Sequence, residues 1–316
     1  MDFIELIKAA LFGLVEGITE WLPVSSTGHM ILLDNFVKLN QPKDFWDMFL
    51  VVIQLGAILA VCVMFAGKLN PLSPSKDADE RSDTWKLWAK VIVACLPAAV
   101  IGIPLDDWME EHLGSPYVIA AALVVYGIIF IVMETVRERR ARELAIGGTV
   151  ASTSAGYHGA HFATKLPATD GMGDAELADV YADCQTVDDI DWKRAIGIGL
   201  FQVLSMVPGT SRSGSTIIGG LLLGCSRTAA AEFTFFLAIP VMVGASGLRL
   251  VKFFLKGNTF TGEQTAILLV GCAVAFVVSM LSIRFLMDFV KKHDFKPFGV
   301  YRIVLGVAVA LYFFLH

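Results

Sequence analysis

Two stretches decide how this chain is read. The first is Glu16-Gly-Ile-Thr-Glu20-Trp-Leu-Pro23-Val-Ser-Ser-Thr-Gly-His29, the second Gln202-Val-Leu-Ser-Met-Val-Pro208-Gly-Thr-Ser-Arg212-Ser-Gly-Ser-Thr216. Each is a polar loop, rich in Gly, Ser and Thr, inside a run otherwise apolar enough for a lipid bilayer. Burying carboxylates, an imidazole and a guanidinium at membrane depth is costly unless they are paired or wetted, so such residues read as a functional site.

The surrounding chain makes membrane depth the right frame. Of its 316 residues 55% are hydrophobic, and mean hydropathy is +0.65, which indicates a polytopic membrane protein. The net charge of −5 lies almost wholly between the apolar runs, with nothing pointing to a nucleic-acid partner. Lys8 stands among Asp2 and Glu5, so the N-terminus lacks the basic region of a removable signal peptide. Cys62, Cys95, Cys184, Cys225 and Cys272 lack metal-ligand or disulfide-framework spacing and read as small core hydrophobes.

Charge-free apolar runs fall at Phe49–Gly67, Val91–Leu105, Pro116–Met133, Phe233–Leu248, Thr265–Ile283 and Ile303–Leu315. With their flanks, most reach the ~20 residues a helix needs to cross a bilayer. The runs at 4–33 and 195–224 are each cut by a Pro and a Gly-containing loop. Proline breaks the helical ladder, and the freed backbone groups need protein or water around them. The expected fold is therefore all-α: six transmembrane helices plus two re-entrant helix-loop-helix hairpins in one membrane domain, 1–316.

Positive charge orients the spans. Arg137, Arg139, Arg140 and Arg142 mark a cytoplasmic side, shared on span counting with 68–90, 225–230 and 287–297. The acidic segment 106–111 and both termini then lie outside, while Lys38, Lys43, Lys252 and Lys256 depart from the rule. This count opens hairpin one outward and hairpin two inward, as in an inverted repeat of halves 1–136 and 195–316. Gly13-Leu-Val-Glu16 resembles Gly199-Leu-Phe-Gln202, and acid-led spans follow at Asp47 and Glu232, 31 and 30 residues after Glu16 and Gln202. Broken helices at corresponding places in inverted halves point to a site near the midplane. Residues 141–194 are polar and read as a partly disordered cytoplasmic insertion, its His158-Gly-Ala-His161 a solvated loop rather than a metal site.

Glu16 and Glu20 share one helical face. They serve a proton relay or a metal, or they pair with Arg for helix association. Two carboxylates are also what Mg²⁺ commonly takes from protein when phosphates supply the rest. Ser25-Ser26-Thr27-Gly-His29 opens one half-helix and Ser211-Arg212-Ser213-Gly-Ser-Thr216 another. Helix N-termini present free N–H groups to phosphate, and Arg adds forked hydrogen bonds. Gly219, Gly220 and Gly244 are accounted for by close helix packing. His29, three residues after Ser26, is either the base for a serine nucleophile or a half-helix cap.

These loops, together with Val51-Val-Ile-Gln-Leu-Gly56 and Tyr301-Arg302, resemble those of the undecaprenyl-diphosphate phosphatase family, the bacitracin-resistance type of bacterial membrane enzyme. The resemblance spans nearly the whole chain except about 141–190. It implies removal of the terminal phosphate from a prenyl diphosphate lipid, recycling the carrier for cell-wall synthesis. It implies a divalent metal, Mg²⁺ first and Ca²⁺ second, and a multi-pass inner-membrane protein whose site faces the periplasm or exterior. Carried over by position, Glu16 and Glu20 have metal or proton roles, and Ser26 and His29 are nucleophile and partner. Arg212, with Ser211, Ser213 and Thr216, binds phosphate. Attack by Ser26 or by water stays open, as does a homo-oligomer. The competing reading is a secondary transporter or lipid flippase, since that class shares the inverted repeat. An acid-phosphatase-like lipid phosphatase would need a Lys-led basic motif that the chain lacks.

Overall fold

The structure is a computed structural model that describes residues 2–154 and 171–315. Among them the regular elements are helical: α1 (Phe3–Thr19), α2 (Ser26–Phe36), α3 (Lys43–Met64), α4 (Ala66–Leu69), α5 (Ala78–Leu113), α6 (Pro116–Ser154), α7 (Asp174–Val180), α8 (Trp192–Leu204), α9 (Arg212–Leu222), α10 (Arg227–Leu255), α11 (Gly262–Val290) and α12 (Lys296–Leu315). Polar residues at the boundaries start several of them. Asp77 and Glu80 form a reciprocal capping box on α5, and Thr261 and Gln264 form another on α11. Ser226 caps α10 through the Ala229 N–H.

Six helices are long and apolar enough to cross a membrane: Lys43–Met64, Ala78–Gly102, Pro116–Ile146, Arg227–Leu255, Gly262–Val290 and Lys296–Leu315. These are the six expected spans, and the chain is a multi-pass membrane protein. The second span starts well before Val91, because the lysines of 78–90 sit on a helix continuous with the apolar run. The third runs on through the basic segment to Ser154, so the polar segment from 141 opens as helix; α7 and a 3₁₀ turn at Val187–Asp189 lie further along it. His158 and His161 fall outside the described residues.

Ion pairs show which segments share an end of the bundle. Lys68 reaches Glu232 at 2.6 Å, and Arg227 reaches Glu134 at 2.6 Å. The Phe295 N–H donates to Glu134, and Lys296 pairs with Glu138. These contacts gather 68–90, the end of α6, 225–230 and 287–297, the four segments that the positive charge groups on one side. At the opposite end Lys256 meets Asp44 at 2.7 Å and Gln264 meets Gln41 at 3.3 Å.

The hairpins open at opposite ends. Lys8 near the start of α1 donates to the Lys38 carbonyl just past α2, beside the Asp44 end. Arg194 near the start of α8 donates to the Leu223 carbonyl just past α9, beside the Arg227 end. Both tips therefore point into the bundle, compatible with re-entrant segments. The halves also pack alike: α1 lies on α11, and α8 lies on α5. A Cβ on Gly13 would come within 2.4 Å of the Gly271 carbonyl oxygen, and one on Gly199 within 2.3 Å of that of Ala94, so both contacts require glycine. Cys272 Sγ approaches the Val52 carbonyl and Cys95 Sγ that of Leu237, a matched pair of contacts in the two halves. All five cysteines are free. Gly219 and Gly220 sit tightly against Phe201 and Ala230, as expected; Gly244 does not, since the space around it is open.

Candidate active site

The two loops fold by the same local rules. In each a half-helix ends, and the next begins at a serine with positive φ: Ser25 at 73° and Ser211 at 70°, which are 186 positions apart. Among the described residues they are the non-glycine residues in that region, a conformation L-residues adopt at a cost and one that concentrates at functional sites. Ser25 Oγ accepts from the Gly28 N–H at 3.4 Å and Ser211 Oγ from the Gly214 N–H at 3.2 Å. Each serine thus caps its half-helix, α2 or α9, whose first turn faces the other loop.

The tips meet. Arg212 Nη2 lies 3.1 Å from Glu20 Oε1, and Ser26 Oγ donates to Glu20 Oε2 at 2.8 Å. Ser213 Oγ donates to the Glu20 carbonyl at 3.0 Å. Arg212 Nη1 donates to the Thr234 carbonyl at 3.0 Å. Thr234 Oγ1 bonds to Thr216 Oγ1, which donates back to the Arg212 carbonyl. From α12, the fully buried Arg302 donates to the carbonyls of Pro23, Gly209 and Thr210 and so fastens both loops at once. Its guanidinium sits 5.5 Å from the Tyr126 ring centroid.

Unspent hydrogen-bonding capacity marks where a ligand fits. Glu16 is 1% exposed and faces Glu20, yet its Oε1 has no protein partner. Arg212 Nε is also buried without one. A buried acceptor and a buried donor left open at the junction of two loops suit a group that brings both charge and oxygens. Among the described residues no three His, Cys, Asp or Glu side chains converge as a metal cage. Glu16 and Glu20 fit the other kind of site, in which two carboxylates hold a divalent ion and phosphate oxygens complete its shell.

Of the residues singled out in the sequence, Glu16, Glu20, Ser25, Ser26, Arg212, Ser213 and Thr216 come together here. Ser211 caps α9 and contacts Ser213 Oγ at 3.1 Å. Thr27 is exposed. His29 does not bond to Ser26. Its Nδ1 lies 2.7 Å from the Ser25 carbonyl oxygen and its Nε2 2.7 Å from the Tyr301 hydroxyl, so the serine's partner is Glu20 instead. The reason is the half-helix geometry: one turn after Ser25, the imidazole folds back on its own N-cap. Arg302 and Thr234 were not assigned from sequence. Arg302 carried the same signal as Arg212, a cation in an apolar run, whereas Thr234 among phenylalanines carried none.

The family model described as bacitracin resistance protein BacA matches residues 9–308. A protein of Streptococcus thermophilus named undecaprenyl-diphosphatase is 52% identical over 98% of this chain and 93% of its own length. Proteins with that name from Lactiplantibacillus plantarum (49% identical, 98% of both chains) and Enterococcus faecalis (47%, 99% of both) are similar throughout. With the match running through both loops and all six spans, the chain belongs to the BacA family.

Proposed function

We propose that this protein hydrolyses undecaprenyl diphosphate to the monophosphate and inorganic phosphate, recycling a lipid carrier for the cell wall and so conferring bacitracin resistance. One observation carries the reading: Glu20 and Ser26 from one hairpin and Arg212 from the other are within hydrogen-bond distance beside two helix N-termini. The names of the relatives support the substrate.

The arrangement supports a division of the steps between the two loops. Arg212 and the free N–H groups of α2 and α9 hold the terminal phosphate and steady the charge that grows on its oxygens. Ser26 Oγ donates a hydrogen bond to Glu20, so Glu20 would take the serine proton as Oγ attacks the terminal phosphorus, the bond to the bridging oxygen breaks and the lipid monophosphate leaves; water then hydrolyses the phosphoserine and releases phosphate. The same carboxylate is placed to accept from a water bound in the serine's stead, so both routes use one base. Ser213 and Thr216 keep Glu20 and Arg212 in register. Glu16 and Glu20 would hold the divalent ion, Mg²⁺ or Ca²⁺, which when bound supplies Lewis-acid polarisation of a phosphoryl oxygen. The basic end of the bundle faces the cytoplasm of a bacterial inner membrane in this reading, and the site opens toward the periplasm or exterior.

Purified protein in detergent, given Mg²⁺ and a prenyl diphosphate, is expected to release phosphate, and Glu20→Gln is expected to stop it. No release, or release untouched by that change, would leave the transporter reading favoured. For orientation, a cysteine at 139 should resist an impermeant thiol reagent added outside.

A further inference from the structure

Tyr301, on α12, meets the ring of His29 through its hydroxyl. Its surroundings give it a task. The His29 Nδ1 faces the Ser25 carbonyl oxygen at 2.7 Å, and a carbonyl only accepts, so Nδ1 carries the hydrogen. In a neutral ring Nε2 is then an acceptor, and the group that meets it at 2.7 Å is the Tyr301 hydroxyl. The two rings lie nearly parallel, 5° apart in plane with centroids 5.6 Å apart. The Ser25 carbonyl thus selects the tautomer, and a hydrogen bond at each nitrogen fixes the tilt and position of the imidazole.

What the ring holds in turn is the strained turn. Ser25 has φ 73°, and Ser26 is the next residue. A backbone conformation of this kind persists only when its surroundings over-determine it. Helix α12 does this from two adjacent residues. Arg302 fixes the Pro23 carbonyl ahead of the turn, and Tyr301 fixes His29 behind it. In the second half the position equivalent to His29 is Ser215, a buried serine whose hydroxyl has no partner, so that half has no ring to clamp.

We propose that Tyr301 is a positioning residue of the phosphatase site: its hydroxyl donates to Nε2 of the ring whose Nδ1–H the Ser25 carbonyl has selected, and it thereby holds His29 and the Ser25–Ser26 turn in attacking geometry. This inference rests on the phosphatase reading for its kinetic arm, and its spectroscopic arm is independent of it. Tyr301→Phe keeps the ring and removes only the hydroxyl. Its kcat should fall roughly five- to tenfold, the worth of one neutral hydrogen bond, with KM little changed. On a His29→Ala background the same substitution should cost nothing more, because the hydroxyl acts through the ring. Wild-type kcat in Tyr301→Phe, or an equal loss on both backgrounds, would overturn the proposal. Nitrogen-15 spectra of histidine-labelled protein, with His29 assigned by difference from His29→Ala, should show the Nδ1–H tautomer in wild type and in Tyr301→Phe, with the Nε2 signal shifted in the variant toward that of a nitrogen without a hydrogen bond. An unchanged His29 signal would also overturn it. If wild type releases no phosphate while the spectra behave as expected, the phosphatase reading fails and the Tyr301 hold on His29 stands.

Discussion

The two hairpin loops share a backbone and divide the chemistry. Both begin a half-helix at a serine with φ near 70°, both cap it through that serine on a glycine N–H, and both are fastened by Arg302. Their side chains diverge. Where loop one has Glu16, Glu20, Ser26 and His29, the equivalent places in loop two hold Gln202, Met206, Arg212 and Ser215. The first loop carries the negative charge and the Ser26 hydroxyl, the second the cation. A duplicated scaffold therefore builds an asymmetric site by keeping the turn and changing what it presents.

That division is open to attack at several points. The largest effect is expected at the charge pair joining the two loops. Arg212→Ala should reduce phosphate release by roughly 10²- to 10³-fold, as loss of a donor to developing charge does, measured as kcat against a prenyl diphosphate. A loss under tenfold would mean loop two is mainly scaffold. Next comes the Glu16 and Gln202 contrast. On the metal role proposed for it, Glu16→Gln should raise the Mg²⁺ concentration needed for half-maximal rate by about tenfold or more. Gln202→Met replaces a buried amide that lacks partners, and it should keep kcat within about twofold while raising the melting temperature. A large kinetic loss at Gln202 would give both loops a chemical role.

The shared scaffold predicts matched damage. Gly13→Val and Gly199→Val each force a side chain into a facing carbonyl and should each destabilise by about 1–3 kcal/mol in a thermal or denaturant assay. Tolerance at one site alone would show that the halves are not mechanically equivalent. The smallest effect is at the base of hairpin two, where Asp191 caps α8 by accepting from the Arg194 N–H at 2.8 Å. That bond, with Arg194 beside it, holds the carboxyl below its usual range. A depressed folded value contributes stability above the ordinary aspartate range and loses it as pH falls through the folded value. Asp191→Asn should thus lower the melting temperature slightly at pH 7, and the gap should close below about pH 4. A gap unchanged down to pH 3 would contradict the charge effect.

Much of this was legible in the sequence because the bilayer makes misplaced polarity conspicuous. Glu16, Glu20 and Arg212 stand out against apolar neighbours, and the Gly13 and Gly199 motifs reveal the duplication. Span boundaries were less visible. Lysines at 86 and 90 interrupt hydropathy but not a helix, so α5 reached further than its apolar run. The partner of Ser26 was invisible for another reason. Spacing places His29 near it, but which side chain turns toward the hydroxyl depends on the strained φ at Ser25, which sequence does not encode for a serine. Thr234 contributes a backbone carbonyl as well as its hydroxyl, and a backbone contact leaves no trace in residue identity.

The pairing of Glu20 with Arg212 joins residues 192 positions apart, and a ribosome makes them in that order. When hairpin one is complete, its cation does not yet exist. Two carboxylates at membrane depth without it are expensive, so the first hairpin has reason to stay wet, or protonated, until residues 192–222 arrive. Its final docking is then a late event, set by the length of chain still to be made. The site is thereby silent in any half-made protein: the same separation that divides its chemistry between two loops also makes completion of the chain the condition for activity.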